Sequence, residues 1–93
     1  MLKTIDYKVP NGKLLKIKLV TEFDKIKSIT ILGDFFLHPE STIDNLERAL
    51  EGCKINVTIL TETIENVLEH SNATLIGAQA SDIAIAIEKA FSS

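Results

Sequence analysis

One stretch of twelve residues, 29–40, marks the point at which the character of the chain changes. It reads Ile-Thr-Ile-Leu-Gly-Asp-Phe-Phe-Leu-His-Pro-Glu, so an apolar strand ends in Gly33 and Asp34 and two adjacent phenylalanines follow. The residues before Gly33 alternate between apolar and polar, as in strands, whereas those after Glu40 have the spacing of helices. The stretch therefore predicts a corner between a β half and an α half.

The β half predicts three strands, at residues 2–9, 14–23 and 26–32, with a turn at residues 10–12. An antiparallel meander buries one apolar face only if each connection contains an odd or extra residue. This requirement predicts that Val9 pairs with Leu15 and Leu19 with Ile31. The opposite face is expected to be rich in lysine, and we assign Lys13, Lys16 and Lys18 to it.

The α half predicts three helices, at residues 40–51, 57–70 and 82–91, that cover the apolar face of the sheet. Gly52 is expected to end the first helix, and Asn56 and Ser81 are expected to cap the second and third. The last helix contains the run 83–87, which is apolar on nearly every side and predicts burial or contact with a partner. The prediction is an α+β fold in β-β-β-α-α-α order, with residues 1–93 forming a single domain.

Length and composition narrow the range of functions. No apolar run approaches the roughly 18–20 residues that span a bilayer, and the N-terminus has no signal-peptide core. A single cysteine suits a reducing compartment, so we expect a cytoplasmic protein without a membrane partner. Residues 1–36 carry seven lysines and four acids, whereas residues 37–93 carry three basic and nine acidic residues. The pI of about 5.3 argues against a nucleic-acid partner.

Motifs for catalysis or metal binding are lacking in the sequence. Cys53, His38 and His70 have no metal-ligand spacing, so we predict no metal site. The four glycines form no phosphate loop, and we predict no catalytic residue. Asp34 and Glu40 are interpreted as a turn residue and a helix-start acid. Cys53 is either a small core residue or, alternatively, a reactive thiol next to Lys54.

Several motifs together resemble a known family. Residues 8–16, Lys-Val-Pro-Asn-Gly-Lys-Leu-Leu-Lys, look like its Lys-x-Pro-Gly-Gly-Lys-Leu-x-Lys pattern, with Asn11 where glycine is common. Residues 33–36, Gly-Asp-Phe-Phe, followed by Pro39, look like its Gly-Asp-Phe-Phe-x-x-Pro signature. The order Leu46-Glu47-x-x-Leu50-x-Gly52 and then Ile76-Gly77-Ala78 continues the similarity. The chain thus resembles the C-terminal accessory domain of lipoate–protein ligases over about residues 8–91.

The resemblance implies a function. Such ligases adenylate lipoate with ATP and transfer the lipoyl group to a lysine of a lipoyl domain. The small domain is needed for activation and carries no catalytic residue. Here it is expected to be a separate subunit that binds a catalytic ligase chain as a heterodimer. Lipoate and ATP would be used by the complex, with no cofactor bound by this chain alone. The residues implied in partner binding are Lys8, Asn11, Gly12, Lys13, Gly33, Asp34, Phe35, Phe36 and Pro39.

A second function remains open from the sequence. The β-β-β-α-α-α order also resembles sulfur-transfer scaffolds, in which a single-cysteine sulfur acceptor of iron–sulfur assembly would use Cys53.

The two phenylalanines are predicted to have different roles. If strand geometry continues past Ile31, Phe35 packs inward, and Phe36 points toward the lysine face, where a partner could cover it.

Overall fold

The computed structural model describes residues 2–10 and 13–93. The chain forms β1 (Leu2–Lys8), β2 (Leu14–Glu22), β3 (Lys25–Gly33), β4 (Phe36–His38), α1 (Thr42–Leu50), α2 (Val57–His70), β5 (Thr74–Ile76) and α3 (Ala80–Ser92). Strands β1, β2 and β3 form an antiparallel sheet in that order, and β4 pairs with β5 in a second, short sheet. The predicted α+β fold is confirmed. In the described part of the chain, the helices are too short or too polar to cross a bilayer.

The meander buries one apolar face, as predicted, but the predicted register between β2 and β3 is wrong by two residues. Leu19 lies opposite Ile29 rather than Ile31. The chain turns through Phe23 and Asp24, and the expected extra residue is a bulge at Lys27, which the pairing of the two strands skips. Because side chains alternate with a period of two, a shift of two residues leaves Leu15, Leu19 and Ile29 on the predicted apolar face. Phe23 is an exception: alternation predicts it on that face, but β2 ends at Glu22, and Phe23 lies in the turn with 91% of its surface exposed.

The register between β1 and β2 differs from the prediction in the same way. Leu15 lies opposite Tyr7 rather than Val9. Beyond the last pair of the ladder, Lys8 with Leu14, the Val9 N–H donates to the Lys13 carbonyl oxygen over 2.7 Å. This hydrogen bond closes the loop between the two strands. The predicted turn falls mainly on Asn11 and Gly12, which lie outside the described residues.

The three helices cover the apolar face of the sheet. Helix α3 lies on β1 and β2, α1 lies on β3, and α2 packs against both helices. Burial of each large aliphatic side chain stabilises the fold by roughly 1.5–3 kcal/mol. The aliphatic side chains with almost no exposure are Leu15, Ile17, Leu19, Ile26, Leu46, Leu50, Leu60, Ile64, Ile83 and Ile87.

Helix α3 is the central helix of the core. Ile83, Ala84, Ala86 and Ile87 are fully buried by the chain itself, which explains the apolar run without a partner. The helix begins at Ala80, earlier than predicted, and the expected cap at Ser81 is wrong. The Gln79 backbone N–H instead donates to the Asp82 carboxylate over 2.7 Å, so the first turn starts two residues earlier.

The other two helix starts are close to the prediction. Asn56 caps α2, because its side-chain oxygen accepts the Ile59 N–H over 3.1 Å. Helix α1 begins at Thr42, two residues later than expected. Pro39 and Glu40 form the turn before it, and the Thr42 N–H donates to the Pro39 carbonyl oxygen over 3.0 Å.

The outer edge of β3 is covered rather than open. The Ile31 N–H donates to a carboxylate oxygen of Glu47, in α1, over 2.8 Å. Further along the strand, the Ile26 N–H donates to the Cys53 carbonyl oxygen over 3.0 Å, and the Gly52 N–H donates to the Ile26 carbonyl oxygen over 2.7 Å. These contacts satisfy edge groups that would otherwise be free to pair with another strand.

The second sheet was not predicted. Strands β4 and β5 contain three residues each, which is too short for an alternating pattern to be visible in the sequence. Leu37 lies opposite Leu75 on the side that packs toward the core, and Phe36 lies opposite Ile76 on the exposed side. This pairing brings the corner after β3 beside the connection that leads into α3.

Candidate functional site

The chain leaves the main sheet at Gly33, and the loop that follows is fixed to the beginning of β2. The Asp34 N–H donates to the Leu14 carbonyl oxygen over 2.9 Å. A Cβ atom on Gly33 would overlap the same carbonyl oxygen and would lie 3.1 Å from the Leu15 Cα. Glycine is therefore required by the close approach of two backbone segments, and this approach holds the loop in place.

A second close approach brings the connection before α3 onto the same loop. A Cβ atom on Gly77 would lie 3.4 Å from the Phe35 Cα, 3.5 Å from the Asp34 carbonyl oxygen and 3.6 Å from the Lys13 Cγ. Gly77 also has a φ of +97°, which favours glycine. Three segments that are distant in sequence therefore meet at the corner after β3.

The two phenylalanines take opposite environments, as strand parity predicts. The Phe35 ring is half-buried and packs against the core, whereas Phe36 is 72% exposed. Phe36 lies beside Leu32, with which it lines a groove, and Leu32 sits opposite Lys16 on the outer face of the main sheet. Phe36 is therefore next to the lysine-bearing face.

Phe36 belongs to a continuous exposed apolar surface, which we call the Leu32–Phe36–Ile76 strip. Leu32 is 46% exposed, Phe36 72% and Ile76 59%. Leu32 and Phe36 share one groove, and Phe36 and Ile76 are partners across the small sheet. Single exposed apolar residues are ordinary, but neighbouring ones on a rigid support are typical of a protein-binding surface.

The groove along one side of the strip has a volume of about 270 Å³. It is bounded by residues 31–33 and 35–37, and Ile43 lies at its α1 side. Glu40 adds a carboxylate to an otherwise apolar lining. The groove is large enough to receive one apolar side chain from another protein, since a cavity of about 150 Å³ holds a benzene-sized group.

The lysines do not form a single group. Lys16 and Lys18 share the outer face of the main sheet, and Lys16 lies 4.0 Å from the Asp6 carboxylate in an exposed ion pair. Lys13 is an odd number of residues away from both, so it does not share their face, and it lies near Gly77 instead. The prediction of three cations on one face is therefore wrong for Lys13. Lys13 therefore borders the candidate site, on the side where Ile76 precedes Gly77.

The remaining predicted site residues fall into two groups. Lys8 lies opposite Leu14 at the end of β1, on the outer face, and Pro39 follows β4 at an exposed position. Asn11 and Gly12 lie outside the described residues. The structure thus brings Lys13 and Gly33–Phe36 together and leaves Lys8 and Pro39 at the periphery.

Cys53 lies far from this site along the chain and packs at the end of α1. The thiol is half-buried, and its sulfur lies 3.4 Å from the Ala49 carbonyl oxygen and 3.9 Å from the Thr63 hydroxyl. The neighbouring Lys54 forms an exposed ion pair with Asp24 over 3.8 Å. In the described residues, no three His, Cys, Asp or Glu side chains gather as metal ligands would.

The fold and this corner define a small α+β domain whose most distinctive surface is a rigid, exposed aromatic loop. The chain belongs to the family described as bacterial lipoate protein ligase C-terminus, which matches residues 4–87.

Relatives agree with this assignment. A protein named lipoate-protein ligase A subunit 2, from Thermoplasma acidophilum, is 38% identical over 55 residues. The match spans 59% of this chain and 57% of that protein. A chain in the solved structure of an archaeal bipartite lipoate protein ligase and its E2 lipoyl domain, also from Thermoplasma acidophilum, superposes with a TM-score of 0.78 at 28% identity. That superposition covers 94% of both chains.

Sequence reasoning missed two residues of the strip. Ile76 lies in the Ile76-Gly77-Ala78 motif, but its pairing with Phe36 depends on a second sheet that no local pattern indicates. Leu32 lies in β3, and its alternation with Ile31 already places it on the face opposite the core. That alternation was a usable signal.

We expect Gly33→Ala to destabilise the fold by roughly 2–4 kcal/mol, because the added methyl group overlaps backbone that cannot move without displacing β2. The measurement is chemical denaturation of the purified chain. Gly52→Ala is the matched control: Gly52 has a φ of +84°, but a Cβ atom there meets nothing within 4 Å. We expect that control to cost only about 1 kcal/mol. Equal losses in the two variants would show that the contact with Leu14 is unimportant.

Proposed function

We propose that this protein is the accessory subunit of a bipartite lipoate–protein ligase. In this proposal it pairs with a separate catalytic chain, and the pair activates lipoate with ATP. The observation that carries the proposal is the family match over residues 4–87 together with the superposition on a chain of the archaeal bipartite ligase structure. The relative's designation as a second subunit supports the division of the enzyme into two chains.

The proposed reaction has two steps. A carboxylate oxygen of lipoate attacks the α-phosphate of ATP, which releases pyrophosphate and leaves lipoyl adenylate. The amine of a lysine on the acceptor lipoyl domain then attacks the activated carbonyl and releases AMP. We assign the binding of lipoate and ATP to the catalytic chain, and we assign no catalytic residue to the accessory subunit.

The accessory subunit would act through the corner after β3. The Leu32–Phe36–Ile76 strip is exposed, and its backbone is fixed by the approaches of Gly33 to Leu14 and of Gly77 to the loop. A pre-organised apolar surface loses little conformational entropy on binding, which favours association. In the proposed complex Phe36 is the central anchor, since buried aromatic residues commonly dominate interface energies. Lys13 would lie at the rim.

We expect Phe36→Ala to weaken association with the catalytic chain about thirtyfold, because loss of an aromatic anchor commonly costs 2 kcal/mol or more. Lipoate-dependent pyrophosphate release should fall in parallel at subunit concentrations near the dissociation constant. The circular-dichroism spectrum and melting temperature should stay close to wild type, since the ring is 72% exposed. Phe35→Ala should instead lower the stability of the isolated chain by roughly 3 kcal/mol, at the low end for a core phenylalanine because the ring is half-buried.

Two controls complete this experiment. Ile59→Ala removes an apolar side chain of 41% exposure on α2, away from the corner, and should leave association unchanged. The accessory chain without the catalytic chain should release no pyrophosphate from ATP and lipoate. Wild-type association and activation in Phe36→Ala, Phe35→Ala and Lys13→Glu together would show that the proposed interface is wrong.

The alternative function, a sulfur acceptor, depends on Cys53. The half-buried thiol packs against α1 and α2, as expected for a small core residue. We expect Cys53→Ser to keep full ligase activity after reconstitution and to cost about 1–2 kcal/mol of stability. Loss of activity with intact folding and intact association would favour the sulfur acceptor.

A further inference from the structure

The tip of the β2–β3 hairpin carries a residue that is unfavourable for the isolated chain. Phe23 is 91% exposed and has a φ of +57°. Bulky residues rarely adopt this left-handed conformation, which glycine, asparagine and aspartate tolerate far better. The ring also gains almost no burial there. Phenylalanine therefore costs the monomer backbone strain at this position, and burial of its ring contributes almost nothing to offset that strain.

The tip is nevertheless held firmly from behind by the segment that follows α1. The Ile55 N–H donates to the Asp24 carbonyl oxygen over 2.8 Å, and the Gly52 N–H donates to the Ile26 carbonyl oxygen over 2.7 Å. Lys54 adds the ion pair with Asp24. Phe23 thus projects from a rigid support, the arrangement in which an aromatic side chain binds with the least loss of freedom.

A groove of about 450 Å³ lies directly beside the ring. It is lined by residues 22–27 and by Gly52. A benzene-sized group needs a cavity of only about 150 Å³, so the groove has room for the ring of another phenylalanine. Gly52 is open on its side-chain side, since a Cβ atom there would meet nothing within 4 Å.

The charges around this groove are of both signs. Glu22 and Asp24 line it together with Lys25 and Lys27. In an isologous contact the same patch meets itself across a two-fold axis and must be self-complementary. This patch meets that requirement, because it carries both a ring and a groove, and two acidic and two basic side chains. A partner of strongly acidic or strongly basic character would not match this lining.

We propose that the hairpin tip is a self-association surface, on which two copies of this chain each place Phe23 in the groove of the other. The tip is small beside the roughly 800 Å² per partner of a standard stable interface, so the dimer should be weak and concentration-dependent. Eight residue steps along β3 separate Lys25 from Gly33, about 26 Å at the usual strand rise. The tip therefore leaves the Leu32–Phe36–Ile76 strip free, and the proposal does not depend on the function proposed above.

The test is sedimentation equilibrium of the isolated full chain over a wide concentration series, paired with thermal melting at the lowest concentration. The wild-type mass should rise toward that of a dimer. Phe23→Asn should remain monomeric and should melt several degrees higher, because asparagine accepts the positive φ at this position with less strain than phenylalanine. Ile76→Ser, which changes an exposed apolar residue of the Leu32–Phe36–Ile76 strip, should dimerise like wild type.

A mixing experiment tests the two-fold arrangement. Gly52→Asn places a polar side chain in the groove at a φ that asparagine tolerates, so this variant should associate poorly with itself. Mixed with Phe23→Asn, it should form one complete ring-in-groove contact, and the mixture should associate more strongly than either variant alone.

Three outcomes would overturn the proposal. The first is a wild-type chain that stays monomeric throughout the series. The second is self-association that Phe23→Asn leaves intact and Phe36→Asn abolishes. The third is a monomeric chain whose binding to the catalytic chain is lost in Phe23→Asn, which would assign the tip to a different partner.

Discussion

The close packing of Gly33 against the Leu14 carbonyl oxygen is the contact on which the rest of the structure depends. It ends the main sheet at a defined residue, and the adjacent Asp34 N–H then bonds to the same oxygen. After that point the chain turns away from the main sheet: β4 pairs with β5, and α1 follows and packs on β3. A side chain at position 33 would push the end of β3 away from the beginning of β2. Glycine at this position is therefore needed for the corner and for the exposed strip that the corner supports.

The fold was largely predictable, and the errors follow from how sheets are specified. Burial decides which face each side chain occupies, so the apolar face containing Leu15, Leu19 and Ile29 could be read from alternation. Absolute register depends on turn and bulge geometry: alternation indicated an extra residue between β2 and β3, but not that it would be a bulge at Lys27 beside a two-residue turn. The second sheet was missed because its strands are three residues long. Helix α3 begins earlier than predicted because Gln79 and Asp82, and not Ser81, form its N-terminal cap.

The candidate site was predictable where it depended on local order and not where it depended on tertiary contacts. Strand parity correctly separated the half-buried Phe35 from the exposed Phe36. It could not show that Ile76 pairs with Phe36 or that Lys13 lies beside Gly77, because those contacts join segments more than thirty residues apart. The main sheet has an exposed aromatic residue near each end, Phe36 and Phe23. Alternation correctly predicts that Phe36 is exposed, but it wrongly predicts Phe23 on the apolar face, because it does not show that the chain turns there.

Amide hydrogen exchange of this chain, with and without the catalytic ligase chain, tests most directly whether the proposed accessory subunit binds through the corner after β3. We expect added protection in residues 32–38 and 74–77, with no change in α2, when the complex forms. An active complex whose protection falls on α2, or elsewhere outside these two segments, would contradict the claim.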